Sequence, residues 1–425
     1  MANHGSIGGG GVRFGGYGTL TNSGAGARIQ STDRGVFLNF GGLLTNGAGA
    51  AIIGAAKGVY GRQSESTLTN AGTVQGDAVG IQLVTGARVT NLAGGEIRSA
   101  NGIGIDLAPT VYAAVSGTIA NYGTISSANA QIAVRFAPGV ANLLVNHSGA
   151  VFDGVVDGGN SVGAAGISTL ELAAGGLGTI GGLGTGFVGF TQVTVDGGAT
   201  WSMQGSNSLD AGATLANSGT LTLFMSSLTD AGALTNDGAI MLDAASLVAA
   251  KLVGSGQVTI GGGATFAATG SVASSQTILF GAGTANLLIG AGASFAATIE
   301  GFGAGDTIDL TGIVHDAGDT ATLLAGNVLH LATTGGTFDL KLDPTQDFTG
   351  GLFTLSADGG GSGIGVSGVT GAATGTISTA IAATYTLAFQ RTTILSTGTV
   401  SASPGPGLLG PAGAGVGWTV DNGGP

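Results

Sequence analysis

The stretch Ser66-Thr-Leu-Thr-Asn70-Ala-Gly72-Thr-Val-Gln-Gly76-Asp-Ala-Val-Gly80-Ile-Gln-Leu83 decides how the whole chain is read. Thr67-Leu68-Thr69 alternates, so it reads as a strand with the leucine facing one way and both threonines the other. Asn70-Ala-Gly72 reads as a corner, because Asn and Gly tolerate the left-handed backbone a tight turn needs. Thr73-Val74-Gln75 supplies a second strand and Gly80-Ile-Gln-Leu83 a third. Three such strands and three corners, in roughly 20–25 residues, are one coil of a parallel β-helix.

The same grammar recurs along the chain. Gly18-Thr-Leu-Thr-Asn22-Ser-Gly24, Gly42-Leu-Leu-Thr-Asn46-Gly47 and Ala87-Arg-Val-Thr-Asn91 repeat it, with further copies at Gly117-Thr-Ile-Ala-Asn121-Tyr-Gly123 and Leu144-Val-Asn146. The asparagines at 22, 46, 70, 91, 121 and 146 are separated by 24, 24, 21, 30 and 25 residues. Degenerate copies at Ala213-Thr-Leu-Ala-Asn217 and Ala233-Leu-Thr-Asn236 are 19 residues apart. Third strands are expected at Gly102-Ile-Gly-Ile-Asp-Leu107 and Gln131-Ile-Ala-Val134.

One coil cannot bury its inward Leu, Ile and Val alone, so it must stack on its neighbours, with strands about 4.8 Å apart. Equivalent residues then lie above one another, and a column of asparagines can chain amide hydrogen bonds along the axis. A β-sandwich would need hairpin turns and would not reward such a column. The expected fold is all-β, a right-handed parallel β-helix of short three-strand coils. Even spacing would give roughly 18 coils over about 85 Å.

Composition supports this and excludes much else. Of 425 residues, 87 are glycine, none is cysteine and 8% are charged, against about 7% glycine and 25% charge in ordinary globular chains. The 43% apolar content is ample for a core, which argues against disorder. The glycines keep no three-residue period, which excludes collagen. No run of about 18 apolar residues is present, so no membrane-spanning helix is expected. Without cysteine there is neither a disulfide framework nor a thiolate zinc site.

Charge is unevenly placed. Residues 1–150 carry eight basic groups (Arg13, Arg28, Arg34, Lys57, Arg62, Arg88, Arg98 and Arg135) against five acidic ones. From 151 onward only Lys251, Lys341 and Arg391 oppose eighteen acids, and the total is −12. An acidic surface repels phosphate backbones, which argues against a nucleic-acid partner. Neither terminus reads as a natural end: the residues after Met1 offer no basic n-region or apolar h-region of the kind a signal peptide uses, and the chain is expected to be an excerpt of a longer product.

The pattern Gly-Thr-Leu-Thr-Asn-x-Gly-x-Ile followed by Gly-Ile-x-Leu, strongest over 18–150, resembles the passenger regions of bacterial autotransporters and of haemagglutinin-like surface adhesins of Gram-negative bacteria. The resemblance continues through Phe190-Thr-Gln-Val-Thr-Val-Asp-Gly-Gly-Ala-Thr-Trp201 and Ala213-Thr-Leu-Ala-Asn-Ser-Gly-Thr-Leu-Thr-Leu223. It reaches Ile299-Glu-Gly-Phe-Gly-Ala-Gly-Asp-Thr-Ile-Asp-Leu310, which is similar to a segment near the end of repeat blocks in very large surface proteins. It implies export to the cell surface or beyond it, outer-membrane association and a role in adhesion. Four blocks follow: regular solenoid over 1–160, more variable solenoid over 161–300, a compact Asp-containing segment over 301–367, and a further repeat block opening over 368–425. The last holds a Pro/Gly insertion at Ser403-Pro-Gly-Pro-Gly-Leu-Leu-Gly-Pro411.

Chemistry-bearing motifs are sparse. Gly159-Asn-Ser161-Val-Gly163 has the G-x-S-x-G spacing of a nucleophile elbow, but no helix is expected after it. Gly301-Phe-Gly-Ala-Gly-Asp306-Thr-Ile308 partly fits a calcium-binding nonapeptide, with Asp309, Asp316 and Asp319 as further carboxylates. Phe and Ala replace two of its glycines, and a solvated acidic corner is the expectation. His4, His147, His315 and His330 show no metal-ligand spacing and read as solvated loop residues; adjacent His315 and Asp316 should face opposite ways. Threonines flanking Leu20, Leu68 and Leu221 would form outward ladders of the kind an ice-binding solenoid uses, although the irregular intervals oppose a flat lattice. A polysaccharide lyase or hydrolase would need clustered carboxylates or basic groups on one groove, which the scattered charges do not suggest.

The sequence thus points to a non-catalytic, surface-exposed or secreted scaffold for adhesion or cell-surface contact. No catalytic, cofactor-binding or metal-ligating residue is assigned, and no cofactor. The expected partners are a host, matrix or neighbouring-cell molecule and adjoining repeat blocks of the same polypeptide. The glycan-processing enzyme and the ice-binding solenoid remain the alternatives.

Overall fold

The short alternating segments do become strands, and the strands stack on their counterparts. The computed structural model describes residues 1–108, 112–128 and 132–348, with Phe353–Ala357, Gly363–Gly368 and seven shorter strands up to Asn422. Among the described residues there is no α-helix, and no helix is long and apolar enough to cross a membrane. The chain divides into two units, Met1–Val258 and Thr259–Pro425.

In the first unit each coil has three faces. On the first face, Gly18–Asn22, Gly42–Asn46, Ser66–Asn70, Ala87–Asn91 and Gly117–Asn121 pair in parallel, residue for residue. Arg28–Ser31, Ala51–Gly54, Thr73–Gly76, Glu96–Ser99 and Thr124–Ser127 build the second. Arg34–Leu38, Lys57–Gly61, Val79–Leu83, Ile103–Asp106 and Ile132–Arg135 build the third. The chain is a parallel β-solenoid of short three-strand coils. The long 91-to-121 interval is absorbed between Ile103–Asp106 and Gly117–Asn121, so the strands stay in register.

Each coil sends at least one aliphatic side chain inward from every face, and the third face adds Leu38 and Leu83. Leu20, Leu44, Leu68, Val89 and Ile119 on the first are at most 2% exposed, as are Ile29, Ile52, Val74, Ile97 and Ile125 on the second and Val36, Val59, Ile81, Ile105 and Val134 on the third. Burying such a side chain is worth about 1.5–3 kcal/mol, and stacking alone removes these from water.

The asparagine column forms as an amide chain. Asn3 Nδ2 donates to Asn22 Oδ1 at 2.8 Å, Asn22 to Asn46 at 2.8 Å, Asn46 to Asn70 at 2.8 Å, Asn70 to Asn91 at 2.9 Å and Asn91 to Asn121 at 2.9 Å. Each amide also reaches the carbonyl that opens the next coil's second-face strand: Asn22 to Ala51, Asn46 to Thr73, Asn70 to Glu96 and Asn91 to Thr124, at 3.1–3.2 Å. One side chain therefore ties two faces of the neighbouring coil.

Contrary to the expectation from sequence, the short corners do not use left-handed backbone. None of these asparagines has a left-handed backbone, and neither do Gly72 or Gly123 in the two-residue corners. A Cβ on Gly72 would collide with Ala50 O, and one on Gly123 with Gly95 O. Asparagine is there for its amide and glycine for closeness of approach. After these asparagines, left-handed glycine appears in the longer corners, as at Gly49 (φ 71°) and Gly94 (φ 76°). The third face has its own close approach. A Cβ on Gly80 would lie 2.6 Å from Gly104 O and 2.8 Å from Arg98 O.

The second and third ladders are interrupted once. The second face stops at Val151–Asp153 and the third at Phe187–Val188, whereas new stacks begin at Leu177–Gly181 and Ser206–Leu209. Only the first face runs through, by Asn142–Asn146, Ser168–Leu172, Gln192–Val195 and Thr214–Asn217. The amide chain lapses at the same place: Asn146 Oδ1 is buried without a partner, and Leu172 and Val195 take over the column. It resumes as Asn217 Nδ2 donates to Asn236 Oδ1 at 2.8 Å and to Ala239 O at 3.0 Å. Beyond the break Trp201, 1% exposed, lies over Gly178, where a Cβ would meet its ring at 2.6 Å. Its Nε1 donates to Ala173 O at 3.1 Å.

The second unit begins with parallel strands and ends that pattern with antiparallel ones. Thr265–Val272 pairs with Asn286–Gly290, which pairs with Thr307–Thr311. Thr307–Thr311 is then covered by antiparallel Gly363–Gly368, itself paired with Phe353–Ala357. Thr320–Leu324, Val328–Thr333 and Gly336–Leu342 form an antiparallel meander whose last strand lies against Thr298–Glu300. Phe302, fully buried, packs against Phe280 and Phe353, and Phe348 joins them. About 14 turns result, fewer than the roughly 18 of even spacing, because hairpins replace coils over 301–367. Parallel pairing returns at Thr374–Ile377, Arg391–Ile394 and Thr419–Asn422. Of the Pro/Gly insertion only Leu408–Leu409 is described.

Replacing Asn70 by alanine leaves Asn46 Nδ2 and Asn91 Oδ1 each one partner short in a dry column, a loss of about 2–3 kcal/mol. Gly80→Ala forces backbone apart and should cost about 1–3 kcal/mol. Thr69→Ala, on the outer side of the same strand, should change stability by less than about 0.5 kcal/mol. Amide hydrogen exchange over 42–106 reads these effects locally, since each coil leans only on its neighbours.

Candidate functional site

Stacking applies to outward side chains as well. On the third face Arg13, Phe37, Tyr60, Gln82, Asp106, Arg135 and Asp157 occupy one column in successive coils. Arg34 and Lys57 stand in a second column beside it, in register with each other.

The lower part of this face is a cluster of cations on two aromatic rings. Phe37 and Tyr60 stack with centroids 5.4 Å apart and planes 16° off parallel. The guanidinium groups of Arg13, Arg34 and Arg62 lie 5.0, 5.3 and 5.2 Å from the Phe37 centroid. Arg34 also lies 5.0 Å from the Tyr60 ring, and Lys57 Nζ lies 4.4 Å from it. The electron-rich ring faces hold cations that mutual repulsion would spread, each contact being worth about 0.5–1 kcal/mol at an exposed site. Phe37 is only 5% exposed, although it points away from the core.

Charge compensation differs along the column. Asp106, 2% exposed, accepts from Arg135 Nε and Nη2 at 3.0 Å each and from Gln82 Nε2 at 2.8 Å. That hydrogen-bonded pairing raises the Arg135 pKa above its ordinary value. Below it, Lys57 Nζ donates to the neutral Gln82 Oε1 at 2.5 Å, and Arg62 Nε donates to the neutral Asn39 Oδ1 at 2.8 Å. Asp33, 3.5 Å from Arg34, is the one carboxylate ion-paired with these four cations among the described contacts. Arg34 Nε is buried without a partner. Burial, and then the charge of Arg34, pushes the Lys57 ammonium below its usual pKa. The patch is short of negative charge.

No family model, curated protein or solved structure matches the chain. What it does must be read from its own surfaces.

Ser161 is exposed in a loop, not at a strand-to-helix turn. It borders a cavity of about 420 Å³ at the break in the ladders, lined also by Asp157, Asn160, Ser208 and Asp210. No histidine, lysine or arginine lines that cavity; its ionisable groups are the carboxylates of Asp157 and Asp210. Asp306 is not a solvated corner: it is 4% exposed, and its two carboxylate oxygens accept from Ala285 N at 3.1 Å and Gly303 N at 3.0 Å. Burial raises its pKa, and the two N–H donors oppose the rise. Among the described residues no group of three His, Cys, Asp or Glu is placed to hold a metal ion.

The histidines have local partners, and not all sit in loops. His330 lies on a strand, 2.6 Å from Asp339, and His315 lies 3.1 Å from Asp319 rather than meeting Asp316. His147 stacks on Tyr122 with centroids 3.6 Å apart, and burial lowers its pKa. The outward threonines make one ladder, Thr21, Thr45, Thr69 and Thr90, but the column beside it reads Thr19, Leu43, Thr67 and Arg88. Leucine and arginine interrupt the flat threonine array that ice would need.

Asp230 shows what the corner slot demands. It ends Ser227–Asp230 as asparagine ends the first-face strands, and it is 1% exposed. Oδ1 accepts from Gly232 N at 2.8 Å, whereas Oδ2 is buried without a partner, and burial raises the pKa. A pKa raised in the folded state contributes stability below the unfolded value and loses it as pH rises through the folded value. Asp230→Asn should therefore raise stability by about 1–3 kcal/mol at pH 7 and give little gain near pH 3, as read by denaturant melts across pH. Calcium should leave the melting temperature unchanged, because both Asp306 oxygens are already engaged by backbone N–H groups.

Proposed function

We propose that this chain is a non-catalytic, surface-exposed or secreted β-solenoid that serves as a scaffold for adhesion or cell-surface interaction, exported by a Gram-negative bacterium. The observation carrying this reading is the division of labour within the coil. Inward positions go to aliphatic stacking and the amide column, whereas outward positions form long, regular, chemically varied columns. Such a surface suits contact with an extended partner better than turnover of a small one. The Gly-Thr-Leu-Thr-Asn grammar, which resembles that of autotransporter passengers and haemagglutinin-like adhesins, supports the same reading.

The purified chain, added to intact bacterial or host cells and to extracellular matrix, should be retained after washing. It should release no reducing sugar from a panel of acidic polysaccharides. Steady sugar release would replace the scaffold with a glycan-processing enzyme; failure to be retained on any cell or matrix would remove the adhesion role.

A further inference from the structure

We propose that the third-face cluster of Arg13, Arg34, Lys57 and Arg62 around Phe37 and Tyr60 binds a linear anionic polysaccharide lying along the solenoid axis. This deepens the interaction reading above and rests on it.

Three observations converge. First, the cluster has an unmet demand for negative charge. Among the described residues only Arg34 of the four cations has an ion-pair partner, Asp33; Arg34 Nε has no acceptor, and Arg62 and Lys57 turn to neutral amide oxygens. Two coils further on, the same column is neutralised by the Asp106–Arg135 pair, so the shortage is local. Second, the cations are held in place. Flexible Lys and Arg side chains lose rotamer freedom when they bind; here the aromatic faces have already taken most of that freedom. Lys57, whose pKa is lowered by burial and by Arg34, would regain its ordinary basicity beside an anion.

Third, the spacing selects the shape of the ligand. Arg34 and Lys57 are in register on adjacent coils, hence about 4.8 Å apart along the axis, and Arg13 comes from the coil before. A hexopyranose residue in a linear glycan has about that length, so a chain with one carboxylate or sulfate per sugar or per disaccharide can set its charges against successive coils. The rings are already covered by guanidinium groups, so recognition is by charge and hydrogen bonding rather than by stacking of sugars on Phe37. Arginine suits this role because its planar fork meets carboxylate or sulfate with two parallel hydrogen bonds.

The test uses the full chain at low ionic strength in isothermal titration calorimetry, with polygalacturonate, chondroitin sulfate and neutral dextran as ligands. Binding to at least one anionic glycan, none to dextran, and a loss of tenfold or more in 0.5 M salt are expected. Binding to chondroitin sulfate but not to polygalacturonate would assign sulfate as the recognised anion, because chondroitin sulfate carries both groups; binding to both would show that a carboxylate suffices. Arg34→Gln and Lys57→Gln should each weaken binding at least fivefold. Arg98→Gln, on the second face, should not change it. Lys57→Gln alters a half-buried surface group, so thermal melts matching the parent would separate lost binding from lost folding.

No binding to either anionic glycan, affinity indifferent to both substitutions, or equal binding of single-stranded DNA would overturn the proposal. Retention on cells or matrix that survives in the Arg34→Gln, Lys57→Gln double variant would also overturn it while leaving the scaffold role standing. Glycan binding without any such retention would do the reverse.

Discussion

Stacking coils at the strand spacing makes each side chain's nearest partner from a distant part of the sequence its own counterpart one coil away. A residue placed in a slot therefore has to suit itself. Leucine and isoleucine do so by packing. Asparagine does so because one amide carries both a donor and an acceptor, so a column of them satisfies itself without water. Glycine does so by leaving room. Cations do not suit themselves, and the third face shows two remedies: an acid in the next coil, as at Asp106 and Arg135, or a ring, as at Phe37 and Tyr60.

Much of this was legible in the sequence. Thr67-Leu68-Thr69 reads correctly as strand with leucine inward, and the asparagines line up as their spacing implied. The reason for the corners did not come through, because a glycine required for left-handed backbone and one required for closeness look identical until the neighbouring coil is in place. The cation cluster was visible only as a surplus of basic residues. Its signal was the shared 23-residue offset of Arg34 from Lys57 and of Phe37 from Tyr60, which becomes informative once those residues are assigned to one face. The burial of Asp306 is not legible locally: one of its donors, Gly303 N, lies in the same corner, but the other, Ala285 N, comes from the preceding coil.

The antiparallel strands of 301–367 answer a different problem. A solenoid coil leaves its last edge with unpaired N–H and C=O groups, ready to accept any further strand. Reversing the chain direction at Gly363–Gly368 places a strand on Thr307–Thr311 that comes from a hairpin, not from another coil. The phenylalanine cluster around Phe302 closes the core beneath it, supplying volume where no next layer of leucine follows. The Asp-containing motif therefore marks a change from coil to cap, and the aspartate contributes as a bracket for two backbone amides.

The interruption near residues 151–188 has a mechanical meaning. Elsewhere in the first unit a pull along the axis is shared by three parallel ladders, but at these two successive steps only two remain, the first face with the third and then the first with the second, and neither step has the amide chain to reinforce it. Under tension this joint would part before its neighbours, dividing the coils into two stretches that each keep their own layers, like a fuse placed partway along a cable.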